Sequence, residues 1–173
     1  MSATAAPGPS GPLSGEQGAT LRGRWAELTD AGAHPPEAIE ALLAGLGLRP
    51  ELAMPGVRFV LPEGSRFGAP AVITGTSTRQ ALGILTNAES RLFPGVPTVT
   101  TYMDQHRTRP ACAMEAWGLY VDRIFALGAS KIRMDVLAFN TTVHRLMATI
   151  GARSEAISRE HFYIAGRFWD VTA

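Results

Sequence analysis

The spacing of apolar residues changes near Ala113, and this change constrains the fold more than any other feature of the chain. Ahead of it lie three runs rich in β-branched residues, "AVITGTST", "ALGILTNA" and "TVTTYMD". Each is bounded by Gly, Pro, Asn or Arg-Gln turns, which predicts an antiparallel meander. From Ala113 to Leu127 the positions Ala113, Trp117, Tyr120, Ile124 and Leu127 recur at helical spacing and stop at Gly128. "KIRMDVLAF" then predicts a strand with Ile132, Met134 and Val136 on one face. Asn140 is a good N-cap for a second helix, with Val143, Leu146, Met147 and Ile150 inward and Gly151 as its stop. "SEAISREHFYIAGRFWDVTA" reads as a last hairpin turning at Ala165-Gly166.

Upstream, "TLRGRW" suggests a short first strand and "GVRFVLPEG" an extended segment. Between them, Pro35 or Pro36 opens a helix carrying Ile39, Leu42, Leu43 and Leu46, closed by Gly47 and Pro50. The order strand, helix, strands, helix, strand, helix, hairpin predicts an α/β fold. Its mixed, mostly antiparallel sheet of about six or seven strands is flanked by helices, with residues 131–139 central. A single domain is expected over residues 19–173. The Pro/Gly/Ser/Ala-rich residues 1–18 read as a flexible tail without the basic and apolar regions of a signal peptide.

Cys112 is the only cysteine, which excludes an internal disulfide and a cysteine-based metal site, and no metal is expected. The net charge of +1 gives no electrostatic reason to bind nucleic acid or an anionic membrane. No apolar run reaches membrane-spanning length, so the expected location is the cytoplasm.

A helix that begins directly after a strand offers its free N–H groups to an anion. "HRTRPACAMEAW", from His106 to Trp117, occupies that place. The residues around it resemble the GNAT acetyltransferase superfamily, and within it the branch that includes the RimJ/RimL N-acetyltransferases. Asn140, Ile150-Gly151, Arg159-Glu160-His161, Gly166 and Asp170 match that branch in order, and Glu115-Ala116 falls where it often has Glu-Ala. "RQALGILTN" resembles its third strand and "TVTTYMD" its fourth, so the resemblance covers residues 71–173.

The resemblance implies a splayed sheet holding acetyl-CoA or another acyl-CoA as co-substrate. The acceptor is then an amine of a small molecule or peptide, and a homodimer is compatible with it. The implied donor site is the backbone of Thr101, Tyr102 and Met103, the loop and helix start at Arg107, Arg109, Ala111, Cys112 and Ala113, and Asn140. Asn140 serves equally as a helix cap. The loop departs from the family, which places glycine where this chain has Ala111, and Pro110 supplies no N–H. The position of the family's frequent tyrosine acid is Met147. Acid or base chemistry therefore falls to Asp104, His106 or Glu160, each of which could instead be a loop or turn residue. His144 reads as a partly buried, hydrogen-bonded side chain, and Cys112, beside a helix N-terminus, as a thiol of lowered pKa. Two other readings stay open: a GNAT-fold enzyme with different, CoA-independent chemistry, and a non-catalytic binding module of the same fold.

Overall fold

The computed structural model describes residues 20–46, 65–89, 91–104, 106–164 and 166–173. The tail over 1–18, the helix stop at Gly47 and Pro50, the extended segment over 56–64 and the turn residue Ala165 lie outside them.

Five strands form an antiparallel meander in sequence order: β1 (Leu21–Arg22), β2 (Ala26–Asp30), β3 (Ala71–Gly75), β4 (Ala81–Glu89) and β5 (Pro97–Met103). Neighbouring residues of the central strands are buried on opposite faces, as expected for strands covered on both sides. Ile73 and Leu85 meet α2 (Pro110–Ala126), whose buried residues are Cys112, Ala116, Tyr120 and Ile124. Val72 and Ile84 meet Ile39 of α1 (Pro36–Gly45) on the other face. Each of these aliphatic side chains contributes about 1.5–3 kcal/mol by leaving water.

The helix α2 begins at Pro110, a turn earlier than its apolar spacing indicates, and ends before Gly128 at φ +92°. Its buried line runs through Cys112 and Ala116, not Ala113 and Trp117. Small side chains at these two positions let the helix approach the sheet closely, and Trp117 flanks the contact half-buried. Strand β2 has no counterpart in the sequence reading. It does alternate, with Ala26, Leu28 and Asp30 inward, but Ala and Asp disguise the pattern.

The expected single sheet of six or seven strands is corrected. Three further strands, β6 (Val136–Leu137), β7 (Ile157–Ile164) and β8 (Arg167–Thr172), form a second sheet in the order β6-β8-β7. The sheets touch where Val99 N–H donates to Arg133 O at 2.9 Å and Arg133 N–H donates to Pro97 O at 2.9 Å. Residues 131–139 thus lie between the two sheets. Past the junction β6 pairs with β8, through Val136 opposite Thr172 and Leu137 opposite Val171, and β5 continues beside β4 alone. A cleft opens between β5 and β6. The helix α3 (Thr141–Thr149) follows β6 and is capped by Asn140, whose Oδ1 accepts from Val143 N–H at 3.3 Å. Contrary to expectation, none of its residues is fully buried, and Ile150 just beyond it is 38% exposed.

Glu115 ties α2 to the β1–β2 turn. Its carboxylate accepts from the N–H groups of Arg24, Trp25 and Ala26 at 2.8, 2.5 and 2.8 Å. The approach is so close that a Cβ on Gly23 would stand 2.3 Å from Glu115 Cδ. Burial works against the charge, but the three N–H donors and Arg24 outweigh it and hold the carboxyl below its ordinary pKa of 4.5. A lowered folded pKa gives stability that is complete above the unfolded value and is lost as pH falls through the folded one. Glu115→Gln should cost about 1–2 kcal/mol at pH 7. Denaturation below pH ~4.5 should show the wild type losing this increment on acidification, while the variant, with nothing to titrate there, loses less.

Candidate active site

Strand register fixes which main-chain groups face the cleft. Val99 N–H and Pro97 C=O point across the junction to Arg133, so the alternating residues Thr101 and Met103 present their N–H and C=O along the same open edge. Tyr102, offset by one, turns its main chain to Ile84 of β4 and its ring into the α1 core, where burial raises its pKa. Of the three residues expected along this strand, only Thr101 and Met103 therefore offer backbone groups to the cleft.

The loop into α2 is organised by Asp104. Its Oδ1 accepts from His106 N–H at 2.9 Å and Arg107 N–H at 3.1 Å, and its carbonyl accepts from Thr108 N–H at 2.9 Å. The Arg107 guanidinium lies 3.4 Å from Oδ2. This is an Asx-type turn, a use of aspartate that leaves its carboxylate engaged. The ring of His106 is exposed and unbonded among the described residues.

Arg109 is the N-cap of α2 and makes no side-chain cap; Pro110 is the first helical residue. Ala113 N–H donates to Arg109 O at 3.1 Å, so the N–H groups of the first turn without a partner among the described residues are those of Ala111 and Cys112. Ala111 has no positive φ, so its methyl group is no obstacle to the turn that glycine makes in the family. The Cys112 thiol is buried, and burial followed by the charge of Glu115 pushes its pKa up. That corrects the expected lowering at the helix start: low polarity and a nearby carboxylate outweigh the helix end.

Thr101 Oγ1, Thr108 Oγ1 and Trp117 Nε1 are buried without a hydrogen-bond partner among the described residues. They come from β5, the loop and α2, the three elements around the cleft. Buried polar atoms are almost always paired, and an unpaired one costs about 1–3 kcal/mol, so each marks a place for a polar ligand atom or water. The spacing that placed Trp117 in the core gave no hint of this.

Across the cleft, the capping role of Asn140 engages its Oδ1 and leaves its NH₂ without a partner among the described residues. His144 is part-buried with Nε2 3.2 Å from Leu137 O, as expected. Glu160 sits apart. It has φ +49° in a bulge of β7, where its N–H donates to Asp170 Oδ1 at 2.9 Å, and β8 and β6 separate that strand from β5. Among the described residues no hydrogen bond or ion pair joins it to Asp104 or His106.

No protein-family model matches the chain, and no curated protein matches it. Solved structures do. A GNAT-family structure from Chromobacterium violaceum superposes with a TM-score of 0.67 at 17% identity, covering 99% of this chain and 94% of that one. The GNAT acetyltransferase of Bacillus anthracis gives 0.67 at 15% identity over 89% of this chain and 95% of that one. The spermidine/spermine N-acetyltransferase SpeG of Vibrio cholerae gives 0.54 at 20% identity over 60% of this chain and 61% of that one. The chain has the fold of the GNAT acetyltransferases: helices on both faces of a mostly antiparallel array, split between β5 and β6.

Proposed function

We propose that this chain is a GNAT-type acyltransferase, moving an acetyl or other acyl group from an acyl-CoA to an amine of a small molecule or peptide. The observation that carries the reading is the cleft itself. It brings the open edge of Thr101 and Met103 beside a helix start whose Ala111 and Cys112 N–H groups are free. An extended amide-bearing arm can pair with the strand edge, and a diphosphate can meet the helix start, where the dipole favours an anion. Arg109, exposed and unpaired among the described residues, adds charge that Arg107, engaged with Asp104, supplies less freely. Asn140 can donate its NH₂ to the arm from the opposite wall.

In the reaction the amine nitrogen bonds to the thioester carbonyl carbon, the C–S bond breaks, and sulfur leaves with the electron pair as thiolate. The amine proton passes to a base. The Thr101 or Met103 N–H would stabilise the oxyanion. Of Asp104, His106 and Glu160, the base is His106, which lies three residues beyond β5 and has a ring unbonded among the described residues. Asp104 then positions the loop, and Glu160 shapes the hairpin. The amine class is supported by SpeG, an enzyme of polyamines, and the RimJ/RimL-like branch by the ordered run Asn140, Arg159-Glu160-His161, Gly166, Asp170. A cytoplasmic location suits acyl-CoA as co-substrate.

Calorimetric titration with acetyl-CoA tests the reading. Saturable 1:1 binding is expected, and Arg109→Ala should weaken it by about 1.5–3 kcal/mol, the range for a charge-assisted hydrogen bond. Absence of binding would remove the acyl-CoA assignment and favour a CoA-independent enzyme or a binding module.

A further inference from the structure

A cavity of about 860 Å³ lies between α2 and α3 and meets β5 at Thr98. Its apolar lining includes Trp117, Val121 and Phe125 of α2, Met134 and Val136 of the strand segment, and Met147 of α3. Its size is at the upper end of ordinary small-molecule sites. The space is open to solvent on one side, where the exposed Lys131, Arg133, Arg153 and Glu155 also line it. Here the space lies beside a helix that packs less deeply than its sequence pattern indicates. Met147 of α3 and Ile150 just beyond it line the cavity, no residue of α3 is fully buried, and Phe125 opposite remains 46% exposed.

Position narrows the choice of ligand. Met134 and Val136 lie past the Thr98–Arg133 junction, on the segment that walls the cleft opposite Thr100–Met103, and both also line the cavity. Cleft and cavity share that wall. A linear apolar group attached to a carbonyl beside the Thr101–Met103 edge could pass over the wall and lie between the two helices. An acetyl group would leave the space unused.

We propose that this cavity takes the acyl chain of the donor thioester, so that the preferred donor carries a medium or long chain and not acetyl. The proposal rests on the acyl-CoA reading above and narrows its substrate class.

Equilibrium binding of acetyl-, hexanoyl- and decanoyl-CoA to the full chain is the test, since it needs no acceptor. Affinity should rise by up to about fourfold per methylene, the equivalent of ~0.8 kcal/mol for each buried CH₂. Decanoyl-CoA should then bind at least about tenfold more tightly than acetyl-CoA, allowing for partial burial. Val121→Trp and Ala148→Trp, which fill the cavity from opposite walls, should remove the gain with chain length and leave acetyl-CoA affinity unchanged. Equal affinities along the series with acetyl-CoA bound would overturn the cavity assignment alone. So would a gain that survives in both filled variants. Failure of every thioester to bind would overturn the acyl-CoA reading together with it.

Discussion

Asn87→Leu is expected to destabilise the protein by about 3–5 kcal/mol, because it removes three hydrogen bonds from the interior at once. Asn87 is fully buried in β4. Its Nδ2 donates to Tyr120 Oη at 2.7 Å and to Gly68 O at 3.1 Å, and its Oδ1 accepts from the Ser65 hydroxyl. Leucine has nearly the same size but no polar atom, so among the described residues Tyr120 would keep only its 3.5 Å bond to Ala69 O, Gly68 O only that from Ser65 N–H, and Ser65 Oγ only that from Phe67 N–H. Burial pushes the Tyr120 phenol up to about 12, against the smaller opposing pull of Asn87 and Arg123, so it stays a neutral structural group at working pH. Tyr120→Phe removes one partner and should cost only about 1–2 kcal/mol. Urea denaturation of both variants checks the ranking; a loss below about 1 kcal/mol for Asn87→Leu would mean that the network contributes little.

The second large effect concerns the ion pair between Arg123 of α2 and Asp30 at the end of β2. Arg123 Nη1 lies 2.6 Å from Asp30 Oδ1, with side chains 17% and 9% exposed. Burial makes such a pair costly to assemble, and still more costly to break from one side. Arg123→Leu should therefore lower stability by about 3 kcal/mol. The double variant Arg123→Leu with Asp30→Leu should recover part of that loss, since it also removes the carboxylate whose charge the arginine balances. Equal stability of the single and double variants would show that the charge on Asp30 is not what the arginine compensates.

The sequence carried the parts of the fold that local rules encode. The change of period at Ala113, the Asn140 cap and the stops at Gly128 and Gly151 all depend on residues within a turn or two of each other. Strand β2 was hidden because two of its three inward residues are Ala and Asp, the second kept inside by an arginine 93 positions away. The Glu115 clamp joins residues 89 to 91 positions apart, and no spacing rule connects them. In the candidate site, the loop and helix start were legible from the strand-to-helix transition. Which backbone groups face the cleft was not, because it depends on the register of Arg133 against β5. The apolar stripe of α3 was legible, but a stripe alone cannot tell that none of its residues would be fully buried.

Backbone amide shifts during a titration with acetyl-CoA test the central claim most directly, because the structure divides neighbouring amides into free and engaged. Thr101, Met103, Ala111 and Cys112 should shift saturably with one shared dissociation constant. Tyr102, paired with β4, and Ala113, bonded to Arg109 O, should move far less. Saturable shifts that spare the first four residues, or no shifts at all, would contradict a donor site between β5 and the start of α2.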